Sequence, residues 1–107
     1  MQAFQIADIL RQRGQTGKPW LEFLRVPALS MGVYVLAAGS HDGQSPHQED
    51  EVYYVLSGRA RIRVAEQDIP VETGSVVFVG ALVEHRFFDI TEDLTVLVFF
   101  APAETAS

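Results

Sequence analysis

The amino-acid sequence predicts an all-β fold, an antiparallel sandwich or barrel, preceded by one short helix. Short runs of β-branched and aromatic residues recur along residues 20–100. Turn residues separate these runs at short intervals, which is typical of sandwiches and barrels. No long helical patterns alternate with the runs, so a parallel sheet built from strand–helix–strand units is excluded. The 107 residues are expected to form one domain, 1–107.

A helix is predicted only near the start of the chain, over Phe4–Arg13. Phe4, Ala7 and Leu10 follow helical spacing, and Gly14 is expected to end the helix. A helix this short is marginal in isolation, so it is expected to lie against an apolar surface of the domain. Residues 1–19 are therefore predicted to form a helix and a loop that extend the β domain at its beginning.

Strands are predicted after this extension from β-branched and aromatic content and from the turns between them. The segment Arg59–Ala65 has the clearest alternation of polar and apolar residues. Turns are expected at Ser57–Gly58, Glu66–Asp68 and Thr73–Gly74. The predicted strands are Trp20–Val26, Met31–Ala37, Glu51–Leu56, Arg59–Ala65, Ile69–Glu72, Ser75–Val79, Val83–Phe88 and Leu94–Phe100.

The net charge is −6, with 14 acidic and 8 basic residues. A negative field repels phosphate backbones and anionic lipid surfaces, so nucleic acids and membranes are not expected partners. Arg59, Arg61 and Arg63 could form an anion-binding stripe. Because Ala60 and Ile62 alternate with them, the arginines are interpreted as the solvent-facing side of one strand.

Cysteine is absent, which excludes disulfides, thiolate metal sites and cysteine nucleophiles. The longest apolar runs, such as Val96–Ala101, are far too short to span a bilayer. The first residues lack a basic leader followed by a continuous apolar segment, so no signal peptide is expected. The expected location is therefore the cytoplasm.

The chemistry-bearing residues are concentrated in the segment SPHQEDEVYYVLSG, residues 45–58. His47 and Glu51 are four residues apart and share a face if this part of the chain is extended. A third candidate, His85, lies within a predicted strand further along. Two imidazoles and one carboxylate suit a first-row transition metal with open coordination positions. Each histidine could equally be a hydrogen-bonded core or loop residue, and the residue pattern alone leaves both interpretations open.

The segment from Gly39 to Gly58 resembles the first sequence motif of the cupin family of small β-barrels. Counted back from Gly58, the motif glutamate falls on Glu51 and the second motif histidine on His47. The opening glycine of the motif matches Gly39. Ser45 stands where the motif has its first histidine, so this chain lacks one residue of the usual cupin site.

The segment from Gly74 to Asp89 resembles the second cupin motif. Gly74 matches its opening glycine, and His85 matches its histidine. Three positions depart from the pattern: Gly80 replaces a proline, Leu82 replaces a glycine and Asp89 replaces an asparagine. The resemblance is therefore carried by the two glycine-bounded segments 39–58 and 74–89.

This resemblance implies a double-stranded β-helix, or jelly-roll barrel, with a metal site. His47, Glu51 and His85 would be the ligands of a divalent transition metal, namely iron, manganese, zinc or nickel. Water is the favoured fourth ligand, and Gln44 and His41 are the alternatives on the adjoining loop. The aromatic candidates to enclose the site are Tyr34, Tyr53, Phe78, Phe87 and Phe88, although most of them are expected to be plain barrel core.

Three functions are compatible with such a site. The first is a metal-dependent enzyme, oxygenase-like or isomerase-like, that acts on a small organic molecule inside the barrel, with Glu49 as a candidate general base. The second is a non-catalytic module that binds or senses a small molecule through the metal. The third is an interaction scaffold with a vestigial site. A homodimer is expected through Leu94–Phe100 and Trp20–Val26, although burial within one subunit explains these segments equally well.

Overall fold

A computed structural model of the chain describes residues 1–105, so the expected end of the domain at residue 107 lies outside the described part. All strand pairings within it are antiparallel. The expected all-β antiparallel fold with a short helix at its start is confirmed. The elements are α1 (Ile6–Thr16), β1 (Trp20–Val26), β2 (Leu29–Leu36), β3 (Asp50–Val64), β4 (Gln67–Glu72), β5 (Val76–Val79) and β6 (His85–Ala101).

The long strands β3 and β6 build the barrel, because they pair with each other along most of their length. The strand order is β1-β2-β6-β3-β4. The short strand β5 pairs with residues 51–54 of β3, whereas β4 pairs with residues 59–64 of the same strand. β3 therefore has two halves with different neighbours, and its inward-facing residues line two different parts of the interior.

The turn predicted at Ser57–Gly58 is wrong, because β3 continues through these residues. The register between β3 and β6 shifts between Val55 and Arg61, so the feature is a bulged bend within a strand. Gly58 has a φ of 102°, and a Cβ at this position would overlap the carbonyl oxygen of Asp93. A glycine is needed here by the close approach of two strands, and the sequence pattern alone does not distinguish such a bulge from a turn.

Helix α1 begins and ends later than predicted. It continues through Gly14 to Thr16, because the left-handed residue that ends it is Gly17. The helix contacts β1 and β2, and Ile9 on the helix and Val33 on β2 are both buried outside the main core cluster. The expectation that the helix lies against an apolar surface is thus met. No helix within residues 1–105 is long and apolar enough to cross a membrane.

Two further predictions about strand ends are corrected. The turn predicted at Glu66–Asp68 lies earlier, since Val64 pairs with Gln67 and leaves Ala65–Glu66 as the connection. The last two predicted strands are both parts of β6, which bends at Asp89, where φ is 48°. In both places strand pairing includes polar residues that the pattern left outside the predicted strands.

The barrel interior is filled by inward-facing apolar residues that form one cluster. Alternation along β3 and β6 accounts for it, because every second side chain of these strands points inward. The most deeply buried members are Tyr53, Val55, Ile62, Val79, Phe87, Leu94 and Val96.

The three alternate arginines of β3 lie on its outer side and contact acidic neighbours. Arg59 Nε lies 2.9 Å from a carboxylate oxygen of Glu92. Arg61 and Arg63 both contact Asp68, at 2.5 and 3.4 Å. These contacts support the interpretation of the arginines as the polar face of a strand, since each guanidinium already faces a carboxylate.

Candidate metal centre

Three chain segments bring His47, Glu51 and His85 together inside the barrel. His47 lies on the loop before β3, Glu51 faces inward from β3, and His85 is the first residue of β6. The loop is fixed to the turn before β6, because the backbone N–H of Leu82 donates to the His47 carbonyl oxygen at 2.7 Å. The segments that carry the two histidines are therefore held to each other by the backbone.

The geometry of the three residues fits a metal ion. One ligand atom from each lies within 4.8 Å of the others, and Glu51 and His85 are only 2% and 6% exposed. Nε2 of His85 and Oε1 of Glu51 are 2.8 Å apart. Among the described residues, neither of these atoms nor the second oxygen of Glu51 has a hydrogen-bond partner of suitable geometry. Buried polar atoms without partners are costly, and a divalent cation between them would satisfy all three.

His85 is oriented by the backbone carbonyl of Val83, two residues before it. Its Nδ1 lies 2.9 Å from the carbonyl oxygen of Val83, so Nδ1 donates there and Nε2 is the ring nitrogen that faces Glu51. Burial lowers the pKa of His85, but the Glu51 carboxylate and the Val83 carbonyl raise the pKa more, so the net shift is upward. A metal ion at Nε2 would take the place of the proton that this environment favours.

His47 is held by Glu104, a carboxylate that the sequence analysis did not identify. Nδ1 of His47 lies 3.1 Å from Oε2 of Glu104, and this contact is the main cause of a raised pKa at His47. A carboxylate on one ring nitrogen fixes the ring orientation and raises the basicity of the other nitrogen. Glu104 follows β6, and its backbone N–H donates to the Ser30 hydroxyl at 2.9 Å. No local signal near His47 could reveal this contact, because it depends on how the end of the chain packs across β2.

Gln44, which the sequence analysis considered as a fourth ligand, lies beside His47. Its Oε1 is 3.3 Å from Nε2 of His47 and accepts a hydrogen bond from the Tyr53 hydroxyl at 3.1 Å. Its amide nitrogen donates to Asp42 at 2.8 Å, which fixes the side-chain oxygen toward the histidine. The buried Asp42 also accepts from the backbone N–H of Phe87 at 2.8 Å. The loop that carries Gln44 is thereby tied to β6.

The other polar residues named by the sequence analysis lie elsewhere. His41 is exposed in a separate cleft beside Asp89, so it is not in position to be a fourth ligand. Ser45 lines the cavity beside His47. Glu49 is buried, and its carboxylate accepts a hydrogen bond from the Thr105 hydroxyl at 2.9 Å. Among the described residues, the candidate general base is therefore not part of the cavity wall.

A cavity of about 300 Å³ leads from the surface to His47 and Gln44. This volume lies at the lower end of the range for small-molecule sites, roughly 300–1,000 Å³. Glu51 and His85 do not line this cavity; His85 lines a second cavity of about 200 Å³, together with Arg63 and Arg86. The cavity is lined by Trp20, Tyr34, Gly43, Gln44, Ser45, His47, Val98, Phe100 and Glu104.

The aromatic residues expected around the site divide into two groups. Tyr34 lines the cavity, Tyr53 lies with its ring centroid 6.0 Å from that of His85, and Phe87 packs behind Tyr53 at 5.0 Å. Burial raises the pKa of both tyrosines, which keeps their hydroxyls protonated as donors. Phe78 and Phe88 do not enclose the site: Phe78 is 63% exposed, and the ring of Phe88 packs under a guanidinium on the outer side.

The aromatic walls that the sequence analysis did not identify are Trp20 and Phe100. Both line the cavity, and the ring of Phe100 lies 4.9 Å from that of His47. Trp20 fits against β2 because residue 32 is a glycine; a Cβ there would collide with the indole ring. Their strands were predicted, but which face of each strand points to the metal site follows only from the assembled barrel.

Comparison with solved structures shows the same fold in other proteins. The structure of TT1209 from Thermus thermophilus has a TM-score of 0.74 and 22% sequence identity, and the match covers 96% of this chain and 99% of that one. DMSP lyase DddQ from Ruegeria pomeroyi has a TM-score of 0.70 and 17% identity. That match covers 81% of this chain but only 49% of the lyase. At these identities, the likeness is one of fold.

Sequence comparison identifies the family. A protein of Streptomyces coelicolor, "Uncharacterized protein SCO3923", is 47% identical over 105 residues, which cover 98% of this chain and 100% of the relative. The family model described as "Cupin domain" matches residues 32–100, which include both motif histidines, the motif glutamate and most of the barrel. The chain therefore belongs to the cupin family.

Proposed function

We propose that the protein is a metal-dependent enzyme, oxygenase-like, that acts on a small organic molecule in the cavity. His47, Glu51 and His85 would hold one divalent transition metal, either iron, manganese, zinc or nickel. The observation that carries this proposal is the set of buried polar atoms on Glu51 and His85 that lack hydrogen-bond partners while facing each other at 2.8 Å. Two histidines and one carboxylate leave open positions for a substrate and for water.

We call His47, Glu51 and His85 the triad, and the residues around it have separate roles in this proposal. When bound, the metal supplies Lewis acidity and, if it is iron, redox chemistry with dioxygen. Glu104 keeps the proton of His47 on Nδ1 and so directs Nε2 inward. Gln44 offers Oε1 as a fourth ligand in place of the histidine missing at Ser45, since its amide is fixed by Asp42.

Proton transfer to or from a substrate is assigned to Glu104 instead of Glu49. Among the described residues, Glu104 is the carboxylate that lines the cavity, and its Oε2 lies 3.1 Å from Nδ1 of His47. Glu49 is engaged with the hydroxyl of Thr105. A general base must reach the proton that it removes, so the position of Glu104 is the more suitable one.

The alternative function is a non-catalytic module that binds or senses a small molecule, with the metal as an anchor. This alternative is favoured by the position of Glu49, because the candidate base from the sequence does not reach the cavity. The two functions predict the same metal content and the same ligand contacts. They differ only in turnover.

Metal analysis of protein purified without a chelating tag tests the metal site. We expect close to one transition-metal ion per chain, and His47→Ala and His85→Ala should each retain less than about one tenth of it. His41→Ala is the matched control, because His41 is exposed outside the triad and its removal should leave the metal content unchanged. Equal metal contents in all four proteins would contradict the site.

Oxygen consumption then separates the enzyme from the binding module. The metal-replete protein is offered thiols, enediols and catechols, and consumption that disappears in His85→Ala supports an oxygenase. An intact metal content together with no consumption of oxygen and no conversion of any of these compounds favours the binding module. Metal analysis on the same samples keeps this result distinct from simple loss of the ion.

A cytoplasmic homodimer is part of this proposal. We define the apolar outer face as Tyr54, Val76, Phe78, Leu97 and Phe99, which the strand registers place side by side on the side of the sheet away from the core. Val76 and Phe78 are 69% and 63% exposed, an arrangement typical of surfaces that bind another protein. A second copy of the chain is the occupant proposed, through the C-terminal strand that the sequence analysis identified.

The mass in solution tests the dimer. Light scattering at micromolar concentration should give twice the chain mass for the wild type and the monomer mass for Phe78→Asp, because a charge buried in an apolar interface is costly. Ile69→Asp is the control, since Ile69 is exposed on β4, outside the apolar outer face. A monomeric wild type would contradict the dimer without affecting the metal site.

A further inference from the structure

The cavity wall has an unusual distribution of charge. Its lining residues include one carboxylate, that of Glu104, and neither a lysine nor an arginine. Arg25 of β1 donates to the Glu104 backbone carbonyl and to the Glu22 carboxylate, and it does not line the cavity. The whole chain carries a net charge of −6. An anionic ligand would therefore meet repulsion both at the entrance and within the cavity.

Aromatic rings form the rest of the wall. The ring of Trp20 lies 6.4 Å from that of Tyr34 and 6.0 Å from that of Phe100, measured between centroids, at interplanar angles of 70° and 80°. The rings therefore present differently oriented surfaces around one space. Aromatic walls attract cations through the ring quadrupole, with tryptophan the strongest, and such cages recognise substituted ammonium groups.

Glu104 is held in this wall by the packing of its segment. Its backbone N–H donates to the fully buried Ser30 hydroxyl at 2.9 Å, and the preceding residue, Ala103, donates to the carbonyl oxygen of Pro27 at 3.2 Å. The next residue, Thr105, donates to buried Glu49 at 2.9 Å. Three consecutive residues are thus tied to the barrel, and the carboxylate of Glu104 is delivered to the cavity in a fixed position.

A bound divalent metal does not reverse the summed charge of the carboxylates around the cavity and the candidate metal ligands. Asp42, Glu51 and Glu104 contribute three formal negative charges around the cavity and the triad. One divalent ion would leave one net negative charge among them. The loaded site therefore remains suited to a cation, which can lie at the aromatic end while a donor oxygen of the same molecule points toward the triad.

We propose that the ligand of this cavity is a small organic cation, a substituted or quaternary ammonium compound, with its positive group held among Trp20, Tyr34, Phe100 and Glu104. The inference rests on the proposed function in that it names the substrate class of the same site. It adds what the metal alone does not specify, namely the charge and shape of the part of the ligand away from the metal. Ligand recognition is thereby divided between an aromatic end and a metal end.

The test uses a pair of probes that have nearly the same shape but differ in charge, choline and 3,3-dimethyl-1-butanol. Trp20 is the only tryptophan in the chain, so its fluorescence reports directly on the cavity. Titrations are made at pH 8 on the full-length protein, both stripped of metal and loaded with zinc. We expect choline to bind about tenfold more tightly than the neutral alcohol.

Variants connect this preference to Glu104. Glu104→Gln should remove most of the roughly tenfold preference for choline while changing the affinity for the neutral alcohol less than about twofold. Glu92→Gln is the control, because Glu92 pairs with Arg59 outside the cavity, and it should behave as the wild type. Circular dichroism confirms that each variant is folded.

The outcomes separate this inference from the metal proposal. Three results would each overturn the inference. Choline could bind no more tightly than the alcohol, or it could give no fluorescence response at millimolar concentration. The third result is an equal loss of affinity for both probes in Glu104→Gln. A choline preference in protein that takes up no metal would support the cation site and contradict the metal proposal. Metal uptake without a choline preference would do the reverse.

Discussion

The two halves of strand β3 face very different interiors. In the first half the inward-facing residues are Glu51, which contacts His85, and Tyr53 and Val55, which belong to the apolar cluster. In the second half they are Ala60 and Ile62, which belong to a closed apolar cluster. Every second residue points inward in both halves, but the bulge shifts the inward positions from 51, 53 and 55 to 60 and 62. The two interiors differ because different residue types occupy these positions.

The comparison shows how one strand serves stability and function in different places. The second half removes apolar surface from water, which is the main favourable term in folding. The first half instead buries the Glu51 carboxylate against Nε2 of His85, and these atoms have no well-aligned hydrogen-bond partner among the described residues, which costs stability. Gly58 joins the two halves at the bulge, so the strand can bend from one environment into the other.

The largest effect on folding is expected in the apolar half. Ile62→Ala should lower the free energy of unfolding by about 2–5 kcal/mol, because Ile62 is fully buried and its removal leaves a cavity. Urea denaturation measures this change. Ile69→Ala is the matched control, since Ile69 is 50% exposed on the neighbouring strand, and a loss below about 1 kcal/mol is expected there. If metal uptake by folded Ile62→Ala also fell, the two halves would not be independent.

In the first, polar half, a substitution is expected to leave the free energy of unfolding unchanged or to raise it. Glu51→Gln removes a buried charge, and its amide can donate to Nε2 of His85, so the metal-free variant should be as stable as the wild type or more stable by about 1 kcal/mol. The same change should lower metal affinity at least about 100-fold, since an amide is a poor ligand for a transition metal. Denaturation without metal and equilibrium dialysis with zinc measure the two effects. A large loss of metal-free stability would show that Glu51 stabilises the fold.

A smaller effect concerns the turn that fixes the His47 loop. Leu82 has a φ of 65°, a conformation that disfavours side chains with a Cβ, and it stands where the cupin motif has a glycine. Leu82→Gly should raise the free energy of unfolding by up to about 1 kcal/mol, because the exposed side chain contributes little packing. Differential scanning calorimetry measures the shift. A decrease would indicate that the leucine side chain has a packing role.

The sequence allowed prediction of the triad because its residues lie in motifs with fixed spacing. His47 and Glu51 are four residues apart, and each of Gly39, Gly58 and Gly74 has a positive φ, so the motif glycines mark real backbone requirements. Glu104 could not be predicted, because it reaches His47 only through packing against Ser30 on β2. Contacts between distant segments leave no periodic signal in a single chain.

The sequence also could not show which face of a short apolar strand points inward. Phe78 lies in β5, a strand of only four residues that are all apolar, so alternation could not show which side faces the site. Phe78 points outward, and Val77 and Val79 point inward. Similarly, Gly58 does have an unusual backbone conformation, but it belongs to a bulge within β3 and not to a turn. Composition indicates that a segment is extended, whereas burial depends on the assembled barrel.

The smallest expected effect tests the outer side of the apolar half. Hydrogen bonding to Arg61 is the main cause that lowers the pKa of Asp68, with Arg63 adding to it. A lowered pKa means that the ionised carboxylate stabilises the folded state, so this contribution is present above the unfolded pKa of about 3.9 and is lost as pH falls through the lower folded value. Asp68→Asn should therefore be slightly less stable than the wild type at pH 7, and the difference should disappear in acid.

Urea midpoints measured from pH 7 down to pH 2 give the comparison, with Glu66→Gln in the adjoining exposed turn as the control. A difference that stays constant across this range would mean that the carboxylate acts through its shape and not through its charge.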